Sequence, residues 1–250
     1  SMHVANLAES AASAIGAKAL LSRVGALYHD IGKILKPEYY VENQSSGVNE
    51  HDKLKPQMSA MVIKAHVSEG IKIAQEAGLP NKLIDFIRTH HGTSVIRYFF
   101  EKAKDNDSMK EVTAEEKFRY DGPLPATKET GILLLADGIE AASRAMKSPT
   151  YPRLENLVNR MVDERVKEGQ LGHCPLTFRD LQLIKEAFMN VLMGIYHHRV
   201  EYPEDKTQQT TEVDSKAEVD SKSEVDSKPE ANNEEPPSSD EPANSEPTKQ

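Results

Sequence analysis

Apolar residues recur every three or four positions through most of the first 200 residues, a spacing typical of helices that bury one face. One such face spans residues 4–15 and a second spans residues 20–28, and we expect a break between them at Gly16. No run of residues alternates between apolar and polar side chains over the length of a strand. The pattern therefore predicts an all-α fold.

Local signals set the ends of the later helices. Gly78 and Pro80 end one apolar pattern, whereas Asn81, Thr127 and Thr177 can each cap the next helix along the chain. The predicted later helices span residues 57–77, 82–90, 93–104, 128–146, 152–167 and 178–199, and the predicted loops span residues 36–56 and 105–125.

The C-terminal part of the chain has a different composition. Residues 212–228 repeat Glu-Val-Asp-Ser-Lys three times, and Pro, Glu, Ser and Asn dominate residues 229–250. Such a polar segment cannot bury enough apolar surface to offset the entropy lost on ordering it. We expect a helical domain over residues 1–203 and a disordered acidic low-complexity tail over residues 204–250. This tail is either a solvated segment or one that binds a partner.

Composition and charge exclude several classes of protein. The longest apolar run, residues 132–136, is far shorter than the about 20 residues that cross a bilayer. The start of the chain lacks the basic and apolar regions of a secretion signal, and the single Cys174 has no partner for an intrachain disulfide. Residues 1–200 contain 25 acids and 26 bases, a net charge of +1 (26 − 25), so the predicted domain lacks a basic surface for long nucleic acid.

The histidines are unevenly placed along the predicted helices. His29 and Asp30 adjoin at the end of one helix, and His90 and His91 adjoin at the end of another. Between them, His66 lies in the middle of a long helix. Imidazole and carboxylate groups are suitable ligands for Fe, Mn and Zn. The pattern therefore indicates a candidate metal site.

Two further features favour a metal site. Gly32 and Gly92 come just after the two adjacent pairs and give the backbone the freedom to turn, so that neighbouring ligands converge. Asp137 interrupts the most apolar stretch of the chain, where a carboxylate is costly unless it is paired or bound to metal. An alternative partner for Asp137 is Arg144, seven residues further along the same helix face, and His66 alone would fit a core histidine. The residues taken together favour the metal site.

These residues resemble the HD superfamily of metal-dependent phosphohydrolases, named for a His-Asp pair that His29 and Asp30 match. The chain is more specifically similar to the cytoplasmic domain of seven-transmembrane HD proteins, which include cyclic di-AMP phosphodiesterases. The resemblance covers nearly all of residues 1–203 and none of the tail. The matching segments are residues 4–9, 23–33, 41–44, 49–53, 85–93, 135–142 and 194–203.

The resemblance implies the ligands, the cofactors and the reaction. It implies two divalent ions, with Fe or Mn favoured, and a hydroxide between them that attacks phosphorus and opens cyclic di-AMP to the linear dinucleotide. Asp30 is then the bridging ligand, and Asp30 and Lys33 are the catalytic candidates. The implied metal ligands are His29, Asp30, His66, His90, His91 and Asp137.

Other residues are candidates for contacts with substrate. Lys33 either contacts a phosphate or balances charge at a helix end, and Arg144 reaches either a phosphate or a carboxylate. Thr93 either binds substrate or caps the next helix. His51, in a long loop, either lines the pocket or is an ordinary polar residue. The remaining histidines outside the motif are interpreted as structural: His173, His197 and His198.

The resemblance also indicates one missing ligand. The family pattern begins with a ligand His followed by Ser-x-x-Val, and Ser1 and Val4 match the Ser and the Val. We therefore expect this chain to start one residue after that His and to bind one of its metals less well. His3 lies on the same helix face as the expected His, where it is either a substitute ligand or a surface residue.

Several alternatives remain open at the level of sequence. Other HD proteins act on cyclic di-GMP, deoxynucleoside triphosphates or guanosine alarmones, although the Gly-Tyr-Pro tripeptide of the cyclic di-GMP branch is missing here. The domain could instead sense a nucleotide without turnover, or be a helical bundle without metal. The resemblance implies a small nucleotide as the partner and a cytoplasmic location. It also implies a bacterial membrane anchor upstream of this chain.

Overall fold

The computed structural model describes residues 1–40, 49–106 and 115–197, apart from the side chain of His197. Within these ranges the only β-pairing is one isolated bridge between Val95 and Arg119. The prediction of an all-α fold is therefore confirmed, whereas the expected tail lies outside the described residues. The α-helices are α1 (Met2–Ala14), α2 (Ala19–Tyr28), α3 (Pro56–Glu76), α4 (Asn81–Thr89), α5 (Arg97–Asn106), α6 (Lys128–Arg144), α7 (Tyr151–Lys167) and α8 (Phe178–His197).

Local sequence signals explain most of the helix ends. Gly16 adopts a left-handed φ of 66° between α1 and α2, and Gly78 does the same, at 69°, after α3. Thr127 caps α6 through a capping box in which its hydroxyl accepts from the backbone N–H of Thr130. Asn81 is the first residue of α4 and not its cap, because Pro80 occupies the cap position.

The predicted helix over residues 93–104 starts later than expected, at Arg97. Residues just before it pair with a distant segment: Ile96 donates its N–H to the carbonyl of Phe118, and Tyr120 donates to the carbonyl of Ser94. These bonds hold residues 94–96 in extended backbone beside residues 118–120. Tertiary pairing therefore overrides the local preference for helix at this point.

Helix α6 passes through the main hydrophobic core. Residues 132–136 are all buried, and α6 packs against α1, α2, α4 and α7. Apolar residues of α1, α7 and α8 complete the same core, with Leu7, Leu154 and Phe188 fully buried. Because α6 is enclosed by other helices, its apolar run has no polar face along this stretch.

Helix α4 packs against both α2 and α3 beside this core, and the 3-10 helix Ile31–Leu35 that follows α2 packs against α3. A Cβ atom on Gly25 of α2 would lie 2.4 Å from the ring of Phe86 in α4, so the glycine allows the two helices to approach closely. A second small cluster, which includes Ala74, Ile84 and Ile87, joins α4 to α3. The C-terminal ends of α2 and α4 consequently lie next to the middle of α3. No helix among the described residues combines the length and the apolar character needed to span a membrane.

Candidate metal centre

Side chains from α2, α3, α4 and α6, or from the residues just after them, converge on one buried point. His29 Nε2 lies 3.2 Å from Asp30 Oδ2 and 3.3 Å from Asp137 Oδ1. On the other side, His66 Nε2 and His90 Nε2 lie 3.5 and 3.7 Å from Asp30 Oδ1. The carboxylate of Asp30 therefore lies among three imidazoles, where a bridging ligand would have to be.

Gly32 brings Asp30 close to His66. A Cβ atom on Gly32 would lie 2.0 Å from the carbonyl oxygen of His66 and 2.6 Å from the amide nitrogen of Gly70. Any side chain here would push the 3-10 helix Ile31–Leu35 away from α3. Gly32 was predicted to give the backbone freedom to turn, and this reason was wrong, because the residue has no left-handed φ. It instead lets two backbone segments approach closely.

His91 completes the group of six candidate ligands. Its Nδ1 lies 3.8 Å from Asp137 Oδ2, and its ring stacks on Tyr120 with centroids 4.1 Å apart. Gly92 has a left-handed φ of 52°, so here the predicted backbone freedom is present. The turn after α4 therefore directs two adjacent imidazoles into the same space.

Three of the histidines have their ring orientation set by their own helices. His29 Nδ1 lies 2.7 Å from the carbonyl oxygen three residues earlier, and His66 Nδ1 and His90 Nδ1 make the same contact at 2.5 and 2.8 Å. A carbonyl oxygen only accepts hydrogen bonds, so each Nδ1 must carry the proton. In the neutral ring, Nε2 then presents a lone pair towards the centre, as a metal ligand requires.

Burial and charge shift the pKa values of these groups in different directions. Burial opposes a charge on His29, but the carboxylates of Asp30 and Asp137 outweigh it and raise its pKa to about 10. Burial and the neighbouring imidazoles, chiefly His29, lower the pKa of His90 to about 3. Burial also lowers the pKa values of His66 and His91. Among these four imidazoles, His29 is therefore the one that carries a proton on both nitrogens at neutral pH.

The donor atoms of the centre fit divalent cations. Asp30 Oδ1 is buried and has no hydrogen-bond partner among the described residues. The two lone pairs of His66 Nε2 and His90 Nε2 face each other at 3.1 Å, which suits two nitrogen ligands at about 2.1 Å from one ion. Two overlapping sets of three ligands form within the described residues. They are His66, His90 and His91, and His29, Asp30 and His90.

A cavity of about 680 Å³ opens over this centre and receives some of the predicted substrate contacts. Lys33 and Arg144 both line it; Lys33 Nζ lies 2.7 Å from Asp30 Oδ2, and Arg144 Nη1 lies 3.3 Å from Glu140 Oε1. His51 also lines the cavity and is buried, and its Nε2 lies 2.8 Å from a backbone carbonyl oxygen. Arg144 thus pairs with Glu140, whereas Asp137 pairs with His29.

Two other candidates lie elsewhere. Thr93 is not among the residues that line this cavity; its backbone N–H and hydroxyl bond instead to the side chain of Gln170. It does not cap α5 either, because that helix begins at Arg97. His3 is exposed, and its Nδ1 lies 3.8 Å from Glu140 Oε1, outside both sets of candidate ligands.

Sequence reasoning missed three residues around the centre. Tyr120 stacks on His91, Glu140 is a buried acid one turn after Asp137, and Gln170 holds Thr93 from 77 residues away. Glu140 could have been found from Asp137, because both acids follow the apolar run of residues 132–136 and share one face of α6. Tyr120 and Gln170 lie in irregular segments and carry no such periodic signal.

The comparisons with known proteins agree with this geometry. The HD domain model matches residues 1–142, and the chain belongs to this family. Membership implies a divalent metal centre, in keeping with the ligand sets described above.

Two curated relatives are proteins with a named activity. The cyclic-di-AMP phosphodiesterase PgpH of Bacillus subtilis is 44% identical over 204 residues, which is 82% of this chain and 28% of that protein. PgpH of Listeria monocytogenes is 43% identical over 207 residues, again 82% of this chain and 28% of the relative. The chain thus spans little more than a quarter of the length of these relatives.

Solved structures of the same family have the same fold as this chain. The crystal structure of the L. monocytogenes PgpH HD domain matches with a TM-score of 0.74 and 41% identity, covering 78% of this chain and 91% of that one. The same domain in complex with cyclic-di-AMP matches with a TM-score of 0.73 and 42% identity, covering 80% and 92%. The predicted resemblance to HD phosphohydrolases is therefore confirmed.

Proposed function

We propose that this chain is a metal-dependent phosphodiesterase that hydrolyses cyclic di-AMP to the linear dinucleotide. The observation that carries the proposal is the buried cluster around Asp30, in which one unpartnered carboxylate oxygen faces two unprotonated imidazole nitrogens. The names of the relatives supply the substrate, since both PgpH proteins are cyclic-di-AMP phosphodiesterases. The assignment of His29, Asp30, His66, His90, His91 and Asp137 as ligands is part of this proposal.

The residues of the chain divide the work of the site between them. Divalent cations bound by the cluster, with Fe or Mn favoured, would supply an activated water and neutralise charge on the phosphate. His66 and His90 hold their Nε2 lone pairs towards the cluster because each Nδ1 is engaged by its own helix. Lys33 Nζ, 2.7 Å from Asp30 Oδ2, keeps that carboxylate charged and brings a cation to the cavity wall.

The wall of the cavity suits a nucleotide. Tyr39, Tyr98 and Phe99 line it; Phe99 is buried, whereas Tyr98 is largely exposed and offers an aromatic face to the cavity. Aromatic faces stack on nucleobases with about 1–3 kcal/mol per base. Arg144, whose side chain is 55% exposed, adds a second cation at the cavity for a phosphate. The opening therefore combines cationic groups for phosphates with aromatic groups for bases.

An assay of purified protein tests the proposal. The chain is stripped of metal, reloaded with Mn²⁺ or Fe²⁺ and incubated with cyclic di-AMP, and products are followed by chromatography. We expect the linear dinucleotide to form, and His29→Ala to abolish its formation. The matched control is Asp163→Asn, which alters a surface ion pair with Lys185 and leaves turnover unchanged.

The same assay decides between the competing functions. Cyclic di-GMP is run in parallel, and faster turnover of it would overturn the choice of substrate. Because we expect the family's first ligand His just before Ser1, a chain extended upstream by its natural residues is measured beside this one. Tight binding of cyclic di-AMP by the extended chain without any product would overturn hydrolysis in favour of nucleotide sensing.

A further inference from the structure

A buried glutamine clamps the backbone just beyond the paired histidines. Gln170 is 1% exposed and lies in the turn between α7 and α8. Its Oε1 accepts from the backbone N–H of Thr93 at 2.9 Å, and its Nε2 donates to Thr93 Oγ1 at 3.0 Å. One side chain therefore bonds to both the backbone N–H and the hydroxyl of Thr93. We call these two hydrogen bonds between Gln170 and Thr93 the clamp.

Neighbouring contacts make the clamp tight. Arg119 Nη1 donates to the carbonyl oxygen of Thr93 at 3.0 Å, so all three polar groups of Thr93 are held. A Cβ atom on Gly92 would lie 2.4 Å from Gln170 Oε1. Position 92 thus favours glycine for its left-handed φ, and a larger residue there would also displace the Gln170 amide group.

Gln170 is itself placed by the end of α7. Its N–H bonds to the carbonyl oxygen of Arg165 at 3.0 Å, and Gly169 before it has a φ of 72°. This pattern ends a helix in a fixed geometry and directs the next residue back across it. Gln170 lies beyond residue 142, where the match to the HD domain model ends.

His91 needs such support more than the other histidines do. His29, His66 and His90 have Nδ1 fixed by a carbonyl of their own helix. His91 instead directs Nδ1 towards Asp137 Oδ2, at 3.8 Å. Apart from the stacking of its ring on Tyr120, its position therefore depends on the turn over residues 91–94, and the hydrogen bonds from Gln170 to Thr93 hold that turn.

We propose that Gln170 is a positioning residue of the metal centre, which acts through Thr93 to hold His91 in place as a ligand. The inference rests on the metal centre of the proposed function but does not depend on which nucleotide is hydrolysed. Outer contacts that orient metal ligands are typically worth 10–100-fold in metal affinity. We expect Gln170→Ala to weaken Mn²⁺ binding by about 10-fold.

The experiment separates positioning from stability. Mn²⁺ affinity is measured by calorimetry for the unchanged protein, Gln170→Ala, Thr93→Val and Thr93→Ser, and urea unfolding of each metal-free protein is measured in parallel. Thr93→Ser keeps both bonds to Gln170 and should bind Mn²⁺ as the unchanged protein does. Thr93→Val loses only the hydroxyl and should bind several-fold more weakly. Amide hydrogen exchange at Thr93 in the metal-free protein should accelerate in Gln170→Ala.

Tyr196→Phe is the matched control, because it removes a 3.2 Å hydrogen bond to Ser143 between α8 and α6. It should lower stability without changing Mn²⁺ affinity. The proposal is overturned if Gln170→Ala loses stability but keeps its Mn²⁺ affinity. If that variant does not fold, equal affinities of Thr93→Val and Thr93→Ser would overturn it. Mn²⁺ bound without hydrolysis would remove only the proposed reaction, whereas no Mn²⁺ binding by the unchanged protein would remove both.

Discussion

Helix α6 passes through two regions that are held together in opposite ways. Residues 132–136 pack into an apolar core against α1 and α7, where every side chain is buried among others of the same kind. One residue later, Asp137 lies in a cluster of imidazoles and carboxylates. In this cluster Asp30 Oδ1 has no hydrogen-bond partner among the described residues. The core is packed by the chain alone, whereas in the proposed function the cluster binds cations. Changes in the two regions should therefore affect different measurements.

The largest effect should come from the cluster. Asp137→Asn keeps the shape of the side chain but removes the charge that pairs with His29 and faces His91. We expect the proposed phosphodiesterase activity to fall by about 1,000-fold, equivalent to about 4 kcal/mol of activation free energy. Steady-state kinetics with Mn²⁺ check this, and retained activity in Asp137→Asn would show that this carboxylate is not a ligand.

A change in the core should have the reverse pattern. Leu133 lies one turn before Asp137 and is fully buried. Leu133→Ala should lower the free energy of unfolding by about 3 kcal/mol, since it leaves a cavity among the helices. Mn²⁺ affinity, measured below the unfolding transition, should stay unchanged. Leu20→Ala is the control, because Leu20 is 72% exposed and should cost little. A large loss of Mn²⁺ affinity in Leu133→Ala would contradict the separation.

The pH dependence of metal binding sharpens the comparison further. In the metal-free protein, Asp30 and Asp137 raise the pKa of His29 to about 10, while the pKa values of His66 and His90 are lowered. His29 is therefore protonated at neutral pH, and in the proposed centre it must release one proton to bind metal. The stability that the charge on His29 gives the metal-free protein is fully present below pH 6.5 and is lost as the pH rises through about 10.

Mn²⁺ affinity should consequently increase by about tenfold, or about 1.4 kcal/mol, per pH unit between pH 6.5 and 8.5. Calorimetry in buffers of different ionisation enthalpy counts the protons released. A constant affinity over this range would show that His29 is not protonated in the metal-free protein. In His29→Ala, this rise of Mn²⁺ affinity with pH should be absent.

The smallest effect should come from the start of α6. Thr127→Ala removes the hydroxyl that accepts from the N–H of Thr130 and should cost about 1 kcal/mol of stability. Thr127→Ser, which keeps a hydroxyl, should cost less. Both variants should bind Mn²⁺ normally in calorimetric titrations, because Asp137 lies well beyond the first turn. Weaker Mn²⁺ binding in Thr127→Ala alone would indicate that the two regions are coupled along the helix.

Much of the fold and the candidate site could be predicted from local features. Gly78 and Pro80 gave the end of α3, and Thr127 gave the start of α6, because these residues act on the backbone beside them. Asp137 was found because a carboxylate in an apolar run conflicts with its surroundings. Conflicts of this kind are visible in a single sequence.

Features that depend on distant neighbours could not be predicted in this way. Gly32 has its role only because α3 lies against it, and α5 starts late only because residues 94–96 pair with residues 118–120. Gln170 comes after an ordinary helix end, and nothing near it in sequence indicates that its partner is Thr93. Such relations arise from the packing of elements and not from their periodicity.

The contacts of His29, His66 and His90 with backbone carbonyls have an evolutionary consequence. The three acceptors belong to Ala26, Ile63 and Ile87, and the backbone oxygen is the same whatever side chain those positions carry. Substitutions there can accumulate under packing constraints alone, without altering which ring nitrogen is available. In the neutral form of these three rings, the helix backbone thereby sets which nitrogen carries the proton, whatever side chains occupy the three acceptor positions.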